Sequence, residues 1–317
     1  MYRKPQTLSA LGGLQRLATL AMLLVASIGA SAARAESPYA KINAEAASSP
    51  VTVHPVRGKI SFLEGSGGNI TVLTAREGQF MVDGGIAVSK TKIEAALRGL
   101  GPGQVRYVVN THWHWDHTDG NSWLKAAGAV VMAHPNTVRH LSETITVAEW
   151  EHTFTPAPAA DLPSRLIAAK TEIMFGGENV QIEPYAPSHT DGDLFVYFPT
   201  EDVLATGDTW WNGLYPFIDY VAGGSIDGMI KAANANIARA GAHTLVVPGH
   251  GPVGDRGQLI EYRDMLVTIR ANVAALKAKS KSLDEVIAAK PTAPFDAKWG
   301  KALISPALFT ALVYRGV

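Results

Sequence analysis

The stretch VVNTHWHWDHTDGN, residues 108–121, overlaps the apolar β-type run VRYVVN and places three histidines and an aspartate within six residues: His112, His114, Asp116 and His117. A strand that runs straight into such a cluster constrains the fold. In an extended segment positions i and i+2 face the same side, so the imidazoles of His112 and His114 point the same way. Asp116 and His117 then turn toward a neighbouring position. The 317-residue chain contains no cysteine, which excludes disulfides and thiolate ligands. Any metal site has to be built from imidazoles and carboxylates.

With 47% hydrophobic and 18% charged residues, the chain has enough apolar material for one large globular core. Lys+Arg and Asp+Glu balance at 28 each, leaving no basic face for a phosphate backbone. Nucleic acid is therefore not an expected partner. The N-terminus reads as an address: Arg3, Lys4 and Arg16 precede the apolar run LATLAMLLVASIGA, and SAARAES follows it. That run is shorter than the ~20 residues a spanning helix needs, and Ala33 and Ala35 supply a small-x-small cleavage pattern. The expected organisation is a signal peptide at 1–35 and one globular domain at 36–317. The mature protein is expected to be periplasmic or secreted, with no stable membrane insertion after cleavage.

Along the mature chain, VTVHPV, KISFLEG, NITVLTA and FMVDGG read as a β-meander punctuated by glycines, and SKTKIEAALRGL as a helix. After the His cluster, GNSWLKAAG and PNTVRHLSE read as helices around the strand AVVMAH. TFTPAPAADLP is too proline-rich for a regular element and is expected to be an extended loop, placed between the two groups of candidate ligands as a flap. Four further strands (TEIMFG, NVQIEPYA, DLFVYFP, DVLATGD), a helix capped by Ser225, the buried strand HTLVVPGH and terminal helices complete the chain. Two strand-rich halves with helices between and after them predict an α/β fold of two sheets covered by helices.

Three more candidate ligands lie at strand ends, where α/β proteins commonly build their sites: His189 in APSHTDGD, Asp208 in LATGDTW and His250 in VVPGHGP. His54, His134, His140, His152 and His243 lack ligand-type spacing and read as structural or surface residues. Trp113, Trp115, Trp210 and Trp211 each adjoin a candidate ligand and either line the site or pack behind it.

The series His-x-His-x-Asp-His followed by His, Asp and His resembles the metallo-β-lactamase superfamily, with His112, His114, Asp116, His117, His189, Asp208 and His250 filling all seven positions. The resemblance implies a four-layer αββα sandwich with two metal ions at one edge. It assigns His112, His114 and His189 to the first ion, Asp116, His117 and His250 to the second, and Asp208 to both. It makes Asp83, in MVDGG, a group that orients the ligand loop without binding metal. Two Zn2+ ions suit this nitrogen and oxygen set, and Fe or Mn suit it as well. In the implied chemistry a metal-bridging hydroxide cleaves an ester, lactone or thioester, with a β-lactam also open, and Asp116 orients the hydroxide and carries its proton. β-Lactamases of the family usually carry Cys or Ser where this chain has Asp208, while lactonases and hydroxyacylglutathione hydrolases carry Asp. A lactonase-type Tyr after that Asp is absent, since Trp211 occupies the neighbourhood. The alternative is an iron-dependent redox member of the superfamily, of the persulfide dioxygenase kind. No substrate contact is legible.

Overall fold

The computed structural model describes residues 36–65 and 67–317; the expected signal sequence at 1–35 lies outside the described residues. A helix not read from the sequence, α1 (Pro38–Ser48), comes first, with Ser37 as its N-cap and Pro38 in its first turn. The meander β1 (Thr52–Arg57), β2 (Ile60–Glu64), β3 (Ile70–Ala75) and β4 (Gly78–Val82) follows, then α2 (Lys90–Leu100) and β5 (Val105–Val109). The His cluster opens the one-turn α3 (Trp115–Thr118), after which come α4 (Asn121–Ala126), β6 (Val130–Ala133) and α5 (Pro135–Leu141). A small hairpin, β7 (Ile145–Val147) with β8 (His152–Phe154), precedes the short β9 (Arg165–Leu166).

The second half repeats the plan of the first. Strands β10 (Thr171–Phe175), β11 (Glu178–Pro184), β12 (Leu194–Phe198) and β13 (Val203–Ala205) form a meander, and α6 (Ile226–Arg239) crosses over to the parallel β14 (Leu245–Val247). The last helices are α7 (Arg256–Lys277), α8 (Leu283–Ala288), α9 (Ala293–Trp299) and α10 (Pro306–Arg315). The stretch from Arg256 to Ala288 holds two of these helices, interrupted at Ser280, whose φ is 59°, and restarted by a capping box at Ser282.

The sheets run β1-β2-β3-β4-β5-β6-β9 and β10-β11-β12-β13-β14. Their alternating side chains make three apolar layers. Between the sheets, Phe62, Leu73, Phe80 and Val82 meet Phe175, Ile182, Val196 and Phe198. The outer face of the first sheet (Leu63, Val72, Met81, Val108) packs on Ile93 and Leu97 of α2 and Leu124 of α4. On the other side, Phe195, Leu204 and Val246 pack beneath Met229 of α6 and Tyr262, Leu266 and Ile269 of α7. Strands with both faces buried read as near-continuous apolar runs, which is why LFVYF and ITVLT carry so few polar residues. Each fully buried Phe contributes about 2 kcal/mol. The result is the expected αββα sandwich, and no described helix is long and apolar enough to cross a membrane.

The ends of parallel strands share one edge, and there the chain turns polar. Asp83 follows β4, the His cluster follows β5, Asp208 follows β13 and His250 follows β14. Backbone bonds from Leu194 N to Thr111 O (2.8 Å) and from Asn69 N to Gly249 O (2.8 Å) join the two halves at this edge. Asn69 Nδ2 adds bonds to Pro248 O (3.1 Å) and Gly251 O (2.8 Å). The edge is therefore clamped rather than open.

Candidate metal centre

All seven candidate residues converge at this edge. The ligand atoms of His112, His114, His189 and Asp208 lie within 4.8 Å of one another, as do those of Asp116, His117 and His250. His112 Nε2 stands 3.1 Å from His114 Nδ1, which is 3.0 Å from His189 Nε2. Asp208 lies between the groups: its Oδ2 is 3.7 Å from His112 Nε2, 3.6 Å from His189 Nε2 and 3.4 Å from His250 Nε2, and its Oδ1 is 3.2 Å from His117 Nε2. Asp116 Oδ2 is 3.6 Å from His117 Nε2 and 3.5 Å from His250 Nε2.

The outer nitrogens decide what these short approaches mean. His189 Nδ1 donates to Phe217 O at 2.9 Å, so its Nε2 carries a lone pair. His114 Nε2 donates to Asp219 Oδ2 at 3.0 Å, leaving the lone pair on Nδ1. Thr111 Oγ1 donates to Asp83 and accepts from His112 Nδ1 at 3.0 Å, and His117 Nδ1 donates to Asp83 Oδ2 at 2.8 Å. His112, His114 and His189 therefore aim lone pairs at a common point, and two of those contacts are no longer than a hydrogen bond yet contain no proton. Asp208 Oδ1 is buried without a hydrogen-bond partner. Converging lone pairs and an orphaned carboxylate oxygen repel one another unless a cation lies among them.

Electrostatics agree with the geometry. Burial holds His112 well below the ordinary imidazole range and pushes His189 down to about 4, so both are neutral, the metal-binding form. Burial acts on His117 too, but Asp208, Asp116 and Asp83 outweigh it and raise that residue well above the usual range. This corner of the site thus favours positive charge. Burial opposes ionisation of Asp208, yet His250 and His117 hold its carboxyl well below the usual range.

Asp83 lies against the loop that carries the His cluster. Held at φ 68°, it accepts from Thr111 N (2.7 Å), Thr111 Oγ1 (2.9 Å) and His117 Nδ1. Two residues missed in the sequence do similar work. Asp219 accepts from Trp113 Nε1 and His114 Nε2, each at 3.0 Å, and from the amides of Val221 and Ala222. Asp193 ties down the His189 turn through Ser188 Oγ, His189 N and Thr190 N. For Asp219 there was a signal: an acid inside the aromatic run YPFIDY has to be buried with partners.

The tryptophans divide. Trp115 and Trp211 line a cleft of about 660 Å³ above His114, Asp116, Asp208 and His250, whereas Trp113 and Trp210 pack behind the loops. Trp150 and Phe217, not singled out in the sequence, also line the cleft. The proline-rich loop is not a flap over it. Residues 154–158 and Asp161 border a separate 340 Å³ hollow behind Trp113 and Trp115, because Leu141 O fixes Ala157 N and Leu162 O accepts from Lys125. None of the five remaining histidines joins the cluster. His54 pairs with Glu64, His134 caps α5, His140 pairs with Asp191, His152 stacks on Tyr39, and His243 O accepts from Arg57.

Gly249 permits the close passage of Asp208, since a Cβ there would lie 1.9 Å from Asp208 Oδ1 and 2.7 Å from Gly207 C. Gly249→Ala is expected to cost about 1–3 kcal/mol of stability and to lower metal content by displacing that carboxylate. Thermal melts and metal analysis check this. Wild-type metal content in the variant would mean that Asp208 has room to move.

The fold and the donor set define the class. The chain belongs to the metallo-beta-lactamase superfamily, whose sequence profile matches residues 63–274, a stretch that includes all seven converging residues. Among its relatives, the metallo-beta-lactamase type 2 of Bacillus cereus is 30% identical over 165 residues, 51% of this chain and 58% of that protein. The hydroxyacylglutathione hydrolase of Rhodospirillum rubrum is 27% identical over 206 residues, 63% of this chain and 67% of that one. The chain thus spans little more than half the length of the Bacillus relative. Similar solved folds include DIM-1 metallo-beta-lactamase (TM-score 0.55, 19% identity, 69% of this chain and 98% of that one). Another is the sec-alkylsulfatase Pisa1 from Pseudomonas sp. (TM-score 0.64, 18% identity, 84% of this chain and 50% of that one).

Proposed function

We propose that this chain is a metal-dependent hydrolase that holds two metal ions and cleaves an ester, lactone or thioester of a small substrate. The observation that carries the reading is the set of imidazole lone pairs and carboxylates aimed at common points, with their outer N–H groups tied down. His112, His114 and His189 would hold one ion, Asp116, His117 and His250 the other, with Asp208 serving both. Bound there, such ions supply Lewis acidity that lowers the pKa of water and polarises a carbonyl.

The chain's own residues supply the rest. Asp83, Asp219 and the Phe217 carbonyl fix imidazole orientation and tautomer, so the donors need no reorganisation. Asp116 faces the cleft and is placed to orient a water and carry its proton. Trp115, Trp150 and Trp211 narrow the space above it and exclude bulk water. The carboxylate at 208 supports ester and thioester chemistry over β-lactam cleavage, and one relative is named a hydroxyacylglutathione hydrolase. Zinc is the metal best suited to this donor set. The leader at 1–35 supports export of a 36–317 hydrolase domain to the periplasm or beyond.

The test is metal analysis coupled to a panel of one ester, one lactone, one thioester and one β-lactam. Purified protein is expected to hold close to two zinc ions per chain, to stop hydrolysis on chelation and to resume it on refilling. Hydrolysis that persists in metal-free protein, or iron content with no hydrolysis of any panel member, would overturn the reading.

A further inference from the structure

The profile match ends well short of both termini, yet the mouth of the cleft is made by segments outside it. One is α1, which contributes Lys41, Ile42 and Glu45; the other is the turn after α9, which contributes Lys301 and Leu303. α1 is firmly seated. Lys92 Nζ donates to the carbonyls of Ala46 (2.5 Å), Ala47 (3.0 Å) and Ser49 (2.6 Å), satisfying the groups a helix end leaves without partners. At the other end Tyr39 stacks on His152 with ring centroids 3.6 Å apart.

The cleft changes character with depth. Its floor holds the candidate ligands, its walls are Trp115, Trp211, Leu214 and Phe217, and its mouth carries two ammonium groups. Among the described residues neither Lys41 nor Lys301 has a side-chain hydrogen bond or ion pair, whereas Lys281, Lys298 and Arg270 each pair with an acid. Glu45 is the acid at the mouth, leaving a net positive charge there. An apolar stretch between a reactive floor and a cationic rim matches a molecule with the same sequence of properties.

We propose that the cleft takes amphiphilic anions, with the apolar body along the Trp115, Trp211 and Phe217 wall and the anionic group held at the mouth by Lys41 and Lys301. The inference rests on the hydrolase reading for the position of the scissile bond. Charge recognition is separable from it.

Two measurements test it. The first compares kcat/KM of zinc-loaded protein for mono-p-nitrophenyl adipate and p-nitrophenyl hexanoate, in wild type and in the double variant Lys41→Gln, Lys301→Gln. The wild-type preference for the anionic ester is expected to fall about tenfold in the variant at low salt, mainly through KM, and to shrink with added salt. The second follows tryptophan fluorescence as metal-free protein binds octanoate or 1-octanol, which removes metal coordination as a cause. Octanoate is expected to bind more tightly than the alcohol in wild type and no more tightly in the variant. Equal binding by wild type, or a preference that survives the double substitution, would overturn the proposal. If neither ester is hydrolysed while the octanoate preference behaves as expected, the ester arm of the hydrolase reading fails and the anion site stands.

Discussion

Asp208→Ser is expected to leave a folded protein that keeps the metal at His112, His114 and His189, binds the other ion weakly, and turns over ten- to several-hundredfold more slowly at limiting zinc. The carboxylate is within 3.7 Å of nitrogens from both groups, so it supplies negative charge where two dications repel most strongly. A serine hydroxyl is neutral and shorter. Excess zinc should recover part of the rate, because Asp116, His117 and His250 still converge. The check is zinc stoichiometry by competition with a chelator, alongside rate against free zinc. A variant with wild-type occupancy and rate would show that Asp208 joins neither ion, and with it would go the case for ester and thioester chemistry over β-lactams.

Asp219→Asn is the second large effect, although this residue belongs to neither group. Its Oδ2 takes hydrogens from His114 and Trp113. An amide nitrogen in that place would oppose two donors. His114 then relieves the clash by moving its proton to Nδ1, the nitrogen 3.0 Å from His189 Nε2. That proton occupies the position a metal needs. Affinity for the first ion is expected to fall roughly 10–100-fold, the range found when such supporting partners are lost. Because the proton only has to shift back to Nε2, against the amide, and none is released to solvent, the defect itself should not follow pH and should be overcome by excess zinc. Isotherms at several pH values measure this. Unchanged affinity would mean that His114 Nδ1 is not a donor to metal.

The sequence made the floor of the site legible and its surroundings much less so. His112, His114, Asp116 and His117 stand out because local spacing alone puts them together, and His189, Asp208 and His250 because each follows an apolar strand. Both strand-rich halves were readable for the same reason: burial on two faces leaves long apolar runs. Asp219 was not, since its meaning depends on a histidine 105 residues earlier in the chain. α1 buries only Ala46 fully and shows little apolar periodicity, so its Ser-Pro start was the one cue available. The proline-rich loop was correctly read as irregular from Thr155 onward, although Thr153 and Phe154 pair in β8, and it was wrongly placed as a flap, because composition carries no information about which side of Trp115 it lies on.

The seating of α1 and the late turn at Lys301 has a consequence for how the molecule comes into being. A chain emerging from its N-terminus delivers α1 first, completes the set of imidazoles at His250, and only afterwards supplies Lys301 and Leu303. The floor can therefore gather while one side of the entrance is still missing, so an ion arriving then meets a basin without its rim. Narrowing follows when the final helices dock. The entrance is thus the last part of the site to be completed, assembled from segments near opposite ends of the described chain.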